Sequence, residues 1–372
     1  MKIVVNNHRI FKFCKKNLPL AQYDICLQNF NLAELNKKIP NCDTLIYGHA
    51  SINNMFNNHK PKPHAVDIKK IIILCDWEGG FSESFITGAI NSIQNQYPAS
   101  HVVFMTQNEL AANFDSIHYI HQSWIHGLNV VYWPKDAHTL RPPETPPLDI
   151  SMTFGTMRDG KYLLYKHLES KNILKHKRVS FLSGSVRKAK LEPVWADQNN
   201  INLEYITNHK LQINNEIVTD DKMKEFFVSK GIKYTERKVY DQLYMMLHSK
   251  ANLVIETEMQ NDTNRYTEKT MKPISIKQPF IIAGNYKVLE LLRKDGFKTF
   301  HPYIDESYDN EENTSKRIDL ITNELNKILS ISKSEWLAFK KNINPILNHN
   351  YKRLSSISEK YLNTLKQQLI ST

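Results

Sequence analysis

The sequence has few of the residues that mark disulfide-rich, metal-binding or membrane proteins. Its four cysteines are scattered through 372 residues, and no two of them form a Cys-x-x-Cys pair. Neither a zinc knuckle nor a disulfide framework is therefore expected. No stretch reaches the ~18 consecutive apolar residues that a membrane-spanning helix needs, and the first residues lack the apolar centre and cleavage site of a signal peptide. We expect a cytoplasmic protein without a transmembrane segment, and contact with a membrane periphery stays open.

Positive charge is in excess, with 49 lysines and arginines against 38 acidic residues, which gives a formal net charge of +11 and a pI near 9.2. Such a field favours nucleic acid, anionic lipid headgroups or phosphorylated small molecules. The lysines are spread along the chain and form no polybasic arm. Charge together with 10% aromatic residues keeps one alternative open, a nucleic-acid-binding protein without catalysis.

The first 135 residues alternate short β-rich apolar runs with a segment of helical spacing. The runs lie at 2–6, 44–50, 70–77, 101–106 and 128–133, and the helical segment lies at 82–96. This alternation predicts a parallel sheet covered by helices. We interpret residues 1–135 as an N-terminal Rossmann-like domain.

A proline-rich segment follows, with five prolines between residues 134 and 149, and it predicts a stiff linker at 136–149. Residues 150–345 repeat the first pattern, with strands predicted at 150–155, 178–184 and 251–258 and helices at 160–174, 239–250 and 286–297. The pattern is helical from Thr314 onwards, and a C-terminal helix at 346–372 could pack back across the cleft. The predicted class is α/β, with two Rossmann-like domains facing across a cleft and a C-terminal helical extension.

Basic residues follow the first two strands of the second domain. Arg158 and Lys161 come after the strand that ends at Gly155, near a helix N-terminus, where backbone N–H groups and the helix dipole favour an anion such as phosphate. Arg187 follows the next strand and could line the same cleft. The alternative for each is an exposed basic residue that binds no ligand.

The stretch "RYTEKTMKPISIKQPFIIAG" at 265–284 joins a charged run to an apolar strand. Thr267 is a plausible N-cap for a helix that starts at Glu268. The Glu268 carboxylate would then face the crevice, where it could accept hydrogen bonds from ribose hydroxyls, with Lys269 and Lys272 beside a diphosphate. The alternative is a solvated amphipathic helix that leads into a core strand.

The run from Asn252 to Gly284, above all "YTEKTMKPI", resembles the nucleotide-sugar motif of glycosyltransferases with the two-domain GT-B fold. It is similar to α1,3-fucosyltransferases, and more closely to a poorly characterised group of glycosyltransferase-like proteins from phages, large DNA viruses and bacteria. The similarity is strongest in the C-terminal part of the chain and hardly reaches the first domain. If the source is viral, the expected location is the host cytoplasm.

The resemblance implies an enzyme that moves a sugar from a UDP- or GDP-linked donor to an acceptor hydroxyl. The N-terminal domain at 1–135 would then bind the acceptor, and the C-terminal domain at 150–345 would bind the nucleotide sugar. It implies that Glu268 binds the ribose, that Lys269 contacts the phosphates and that Arg158 matches a basic position of the family. Further donor-binding residues implied by the motif and its flanks are Tyr266, Thr267, Glu256 and Glu258. The family usually has more arginine where this chain has "MRDGK", which weakens the pyrophosphate role of Lys161.

The chemistry of such a transfer requires stabilisation of the departing nucleoside diphosphate by a metal or by preorganised cations. The sequence contains no Asp-x-Asp pair to hold a metal, so we expect a metal-independent reaction with no cofactor beyond the nucleotide-sugar co-substrate. The resemblance to fucosyltransferases implies that the reaction is inverting. The general base is expected in "CDWEGGFSES" at 75–84, as Asp76, Glu78 or Glu83. Asp76 could instead cap the following helix.

Two further motifs are not expected to bind a metal ion. His118, His121 and His126 fit no zinc signature, and the acidic run at 305–313 lacks the glycine of a calcium loop, so we predict a solvated surface turn there. The acceptor stays open among a glycan, a protein and a DNA base. A transferase that glycosylates modified DNA bases would unite both functional hypotheses.

Overall fold

The chain forms two compact units, the first built from residues 1–130 and 355–372 and the second from residues 131–261 and 265–354. The structure is a computed structural model, and it describes residues 1–5, 11, 14–15, 18, 22–27, 42–48, 68–74, 91, 98–106, 118–121, 137–155, 159–183, 211–213, 216–235, 237–256, 259 and 265–370.

The first unit contains a six-stranded parallel sheet. Its strands are β1 (Lys2–Val5), β2 (Asp24–Leu27), β3 (Thr44–Gly48), β4 (Lys70–Leu74), β5 (His101–Thr106) and β6 (His118–His121), in the order β2-β1-β3-β4-β5-β6. The apolar runs predicted at 44–50, 70–77 and 101–106 are confirmed as β3, β4 and β5. The helix predicted at 82–96, apart from residue 91, and the strand predicted at 128–133 lie outside the described residues.

The second unit contains a four-stranded parallel sheet of β7 (Leu148–Gly155), β8 (Val179–Ser183), β11 (Ser249–Ile255) and β12 (Phe280–Ala283), in the order β12-β11-β7-β8. A separate antiparallel pair joins β9 (Gln212–Ile213) to β10 (Glu216–Ile217). In both parallel sheets the first strand lies inside and the order reverses beside it, as in doubly wound folds. The predicted α/β class with two Rossmann-like sheets is confirmed and is consistent with the GT-B type.

Seven α-helices have both ends among the described residues, and these seven begin in the second unit: α1 (Asp159–Ser170), α2 (Asp220–Ser229), α3 (Arg237–Leu247), α4 (Glu268–Ser275), α5 (Val288–Lys294), α6 (Thr314–Ser330) and α7 (Lys333–Ile370). The helical pattern predicted from Thr314 onwards is confirmed. Gly296 follows Asp295, the C-cap of α5, and its φ of 84° lies in the left-handed region that glycine adopts without strain. None of the helices that the structure describes combines the length and apolarity required to cross a membrane.

The last turns of α7 belong to the core of the first unit. Tyr361, Leu365 and Leu369 are buried there with apolar residues of β1, β3, β4 and β5. The first turns of α7 belong to the second unit, where the Trp336 indole N–H donates to the carbonyl oxygen of Glu144 at 3.1 Å. The C-terminal helix therefore contributes apolar surface or hydrogen bonds to both units.

The prediction of a solvated turn at 305–313 is wrong for part of the run. Asp309 is 1% exposed and accepts hydrogen bonds from the backbone N–H groups of Leu289 at 2.8 Å and Glu290 at 3.0 Å. These contacts satisfy the first turn of α5, where donors would otherwise be unpaired. Burial raises the pKa of the Asp309 carboxyl, and an ion pair with Arg293 at 3.3 Å compensates its charge.

Candidate functional site

The candidate site lies at the carboxyl edge of the second sheet, where the strand order reverses between β7 and β11. Open parallel sheets bind ligands at such points because the loops that leave the two strands diverge there. β7 ends at Gly155, and β11 is followed directly by Glu256. Hydrogen bonds from Thr267 to the Glu256 carboxylate hold the N-terminus of α4 at the same edge.

Glu256 is bound to the first turn of α4 by three hydrogen bonds. Its Oε1 accepts from the Thr267 backbone N–H at 3.0 Å and from the Thr270 hydroxyl at 2.6 Å. Its Oε2 accepts from the Thr267 hydroxyl at 2.7 Å. The side chain is 1% exposed. Both carboxylate oxygens are therefore engaged by the helix, while the ligand contact that the resemblance implies stays a prediction.

The predicted helix start is confirmed, because α4 begins at Glu268 with Thr267 as its N-cap. Thr267 has extended backbone angles, and its hydroxyl oxygen accepts from the Lys269 backbone N–H at 3.3 Å. Threonine is favoured at this position because the short side chain reaches an N–H group that has no partner within the helix.

Glu268 is 8% exposed, which makes it an almost buried carboxylate at the positive end of a helix. Burial opposes its ionisation, but the ammonium groups of Lys269 and Lys272 and its own backbone N–H more than offset this, so the pKa of Glu268 lies below its ordinary value. The nearest of these charges is Lys269 Nζ, 3.4 Å from Oε1. Glu268 is consequently an anion at neutral pH.

The two lysines of the motif are held in different places. Lys269 Nζ donates to the Thr267 hydroxyl oxygen at 3.2 Å, beside Glu268. Lys272 Nζ donates to the amide oxygen of Gln242 in α3 at 2.7 Å. Their predicted contacts with a diphosphate are not tested by this arrangement.

Lys161, in the first turn of α1, is buried beside the end of β7. It is 2% exposed, and its Nζ donates to the carbonyl oxygen of Phe154 at 2.9 Å. Since Phe154 precedes Gly155 at the end of the strand, Lys161 is fixed at the reversal point of the sheet. The binding of a phosphate group by Lys161 stays a prediction.

Two residues that support the carboxyl edge of the second sheet were not predicted from the sequence. Gly160 lies so close to the segment after β11 that a Cβ on it would stand 2.7 Å from the Cβ of Met259. Arg317 is 1% exposed and donates to the carbonyl oxygens of Met259 and Glu311, each at 2.5 Å. A signal for Arg317 existed, because it lies one turn before Ile321 on the apolar face of α6.

Tyr266 lies immediately before the cap and is 2% exposed. Its hydroxyl donates to Asp295 Oδ2 at 2.5 Å, next to the C-terminus of α5. This contact anchors the start of the motif to the neighbouring helix, and the donor-binding role of Tyr266 stays a prediction.

The other predicted site residues lie outside the described residues. These are the candidate bases Asp76, Glu78 and Glu83 and the donor-site residues Arg158, Arg187 and Glu258. Within the part of the chain that the structure describes, no group of three or more His, Cys, Asp or Glu side chains is placed to hold a metal ion.

No protein-family model matches the chain, and a search of curated proteins also finds no match. The fold defines an α/β protein with two Rossmann-like parallel sheets. Because such folds carry many unrelated activities, function has to be argued from the site itself.

Proposed function

We propose that the protein is a nucleotide-sugar-dependent glycosyltransferase of the GT-B type, which moves a sugar from a UDP- or GDP-linked donor to an acceptor hydroxyl. The observation that carries the proposal is the ionised, almost buried Glu268 carboxylate at the N-terminus of α4, beside the reversal point of the second sheet. The resemblance of "YTEKTMKPI" to nucleotide-sugar motifs supports the same assignment.

A ribose presents two vicinal hydroxyl donors, and an ionised carboxylate is an acceptor with two oxygens. Hydrogen bonds to a charged acceptor are stronger than those between neutral groups. A carboxylate whose pKa is lowered keeps this acceptor character at neutral pH. We assign ribose binding to Glu268 and phosphate contact to Lys269, whose ammonium group lies beside it.

The departing diphosphate would be stabilised by lysine, arginine and the N-terminus of α4, without a metal ion. Lys161, Arg158, Arg187 and Lys272 are the further cations proposed for this task. The proposed reaction is inverting, with Asp76, Glu78 or Glu83 of the first domain as the base that deprotonates an acceptor glycan, protein or DNA base.

The proposal is tested by thermal shift and calorimetry with UDP, GDP and other nucleoside diphosphates. We expect one of them to raise the melting temperature of the wild type and to bind Glu268→Gln much more weakly, because binding to the native state alone stabilises it. Glu290→Gln is the matched control, since Glu290 is also in the first turn of a helix that follows a strand but is exposed. Equal binding by Glu268→Gln and the wild type, or no nucleotide binding at all, would refute the proposal.

One observation favours a second candidate, a nucleic-acid-binding protein. Lys277 Nζ and Arg141 Cζ lie 4.8 and 5.0 Å from the centre of the Tyr351 ring. Burial and repulsion by Arg141 and Lys352 lower the pKa of Lys277, so positive charges are held together around an aromatic side chain. Phosphate groups of a nucleic acid would relieve this repulsion.

This candidate predicts that Tyr351→Ala and Lys277→Met weaken the binding of random DNA, and that added salt weakens it further. Fluorescence anisotropy at several salt concentrations measures both effects. Salt-sensitive DNA binding without any nucleoside diphosphate effect would favour this candidate. DNA and nucleotide binding together would favour a transferase that glycosylates modified DNA bases.

A further inference from the structure

We infer that Glu256 is a positioning residue, which fixes the N-terminus of α4 and thereby sets the place of Glu268 and Lys269. This inference rests on the proposed function, because it takes Glu268 and Lys269 as the groups that bind the nucleotide. It assigns Glu256 a task different from the direct ligand contact that the resemblance implies.

The backbone of Glu256 is itself fixed by the sheet. Its N–H donates to the carbonyl oxygen of Ala283 at 2.9 Å, which continues the pairing of β11 with β12. Its Cβ lies 3.5 Å from the position that a Cβ on Gly284 would occupy. The carboxylate therefore projects from a rigid strand end, and its three acceptor contacts transfer that rigidity to α4.

The helix needs such support. α4 has only eight residues and contains Pro273, which lacks the N–H group of an ordinary helical residue. Helices this short are marginal on their own. The contacts of Glu256 with Thr267 and Thr270 bind both ends of the first turn to the sheet.

The Thr267 hydroxyl carries this effect to Lys269. The Thr267 hydroxyl oxygen carries one proton, and it donates that proton to Glu256 Oε2. The lone pairs of the same oxygen then face the backbone N–H of Lys269 at 3.3 Å and its Nζ at 3.2 Å. Glu256 thus orients the ammonium group that lies 3.4 Å from Glu268 Oε1.

The two carboxylates of the edge have separate tasks on this view. Glu256 is 1% exposed and saturated by the helix, so a ligand would reach it only by displacing hydroxyl and N–H donors. Glu268 is contacted, among the described residues, by Lys269 and by its own backbone N–H. Its oxygens therefore keep lone pairs for the hydroxyl donors of a ligand.

A double-mutant cycle tests the inference, using Glu256→Gln, Glu268→Gln and the double variant. In Glu256→Gln an NH₂ donor replaces one acceptor oxygen. One of the two threonine hydroxyls that donate to the carboxylate then loses its acceptor. We expect Glu256→Gln to lower the affinity for the bound nucleoside diphosphate about tenfold. The loss of affinity in the double variant should be smaller than the sum of the two single losses, because Glu256 acts in part through Glu268.

Additive losses, or wild-type affinity in Glu256→Gln, would overturn the positioning role and leave the proposed function intact. Thr270→Val and Thr270→Ser give a matched pair, since serine keeps the hydroxyl that valine removes. We expect Thr270→Ser to retain nucleotide affinity and Thr270→Val to lose it. General destabilisation is a different cause of weaker binding. It would not depend on the hydroxyl group that serine keeps and valine lacks.

Hydrogen exchange gives a readout that needs no ligand. We expect faster amide exchange at 266–275 in Glu256→Gln and Thr270→Val, and unchanged exchange in α5, measured by mass spectrometry. Unchanged protection at 266–275 would overturn the inference even if no nucleotide binds. A different outcome is faster exchange in the variants together with no nucleotide binding by the wild type. This would support the role of Glu256 in fixing α4 and refute the proposed function.

Discussion

The ammonium group of Lys70, at the start of β4, donates to the carbonyl oxygen of Gln368 near the end of α7 at 2.7 Å. A cation at a helix C-terminus satisfies a carbonyl group that has no partner within the helix and interacts favourably with the helix dipole. Together with Tyr361, Leu365 and Leu369 in the same core, this contact makes the C-terminal turns of α7 part of the first unit.

Leu365→Ala tests this contribution of α7. Leu365 is 0% exposed in the core of the first unit, and truncation of a buried leucine costs about 2–5 kcal/mol. We expect denaturant unfolding to show this loss, with hydrogen exchange increased first in β1, β3 and β4. Gln367→Ala, on the exposed side of the same helix, should leave stability within about 0.5 kcal/mol. Equal effects of the two changes would contradict the assignment.

Glu268 predicts a specific dependence of stability on pH. Its folded-state pKa lies below the ordinary value of 4.5, so the folded state binds fewer protons than the unfolded state when pH falls into that range. The stabilisation from the charge is complete above the unfolded pKa and is lost as pH falls through the folded pKa. The free energy of unfolding of the wild type, relative to Glu268→Gln, should therefore be constant near pH 7 and decrease below about 4.5. An increase on acidification would mean a raised pKa.

Much of this site could be predicted because its signals are local. Thr267 and Glu268 are adjacent, and the preference of threonine for the N-cap depends only on nearby backbone groups. The strands β3 and β5 were likewise predictable as apolar runs bounded by polar residues. The strand β2 was missed, because its four residues include Asp24 and give no periodicity.

The contacts between distant residues could not be predicted. Glu256 and Thr267 are eleven residues apart in the sequence. The Glu256 carboxylate accepts a hydrogen bond from Thr267 only because the fold brings the two residues together. Asp309 was predicted to lie in a solvated turn because the acidic run at 305–313 lacks the glycine of a calcium loop. Its partners are N–H groups of α5, whose position depends on the tertiary structure.

Arg317→Lys should destabilise the second unit strongly. The guanidinium group bridges the carbonyl oxygens of Met259 and Glu311, and lysine cannot reproduce its fork of donors. A buried carbonyl group left without a donor costs about 1–3 kcal/mol, so we expect a loss of about 3 kcal/mol in chemical denaturation. Lys316→Met, at the exposed neighbouring position, is the control and should change stability little. Unchanged stability in Arg317→Lys would contradict the prediction, because lysine keeps the positive charge and lacks only the fork of donors.

Gly160→Ala tests how closely α1 approaches the segment after β11. In an exposed helix this change would be stabilising by about 1 kcal/mol, but here the added Cβ would lie 2.7 Å from the Cβ of Met259. Overpacking of this kind costs about 1–3 kcal/mol. We therefore expect Gly160→Ala to lower the melting temperature, in opposition to its helix propensity. Met259→Gly removes the opposing Cβ, so adding Gly160→Ala to that variant should raise its stability. A stabilising Gly160→Ala in the wild-type background would show that the segment yields, and that the edge of the sheet is not held at this point.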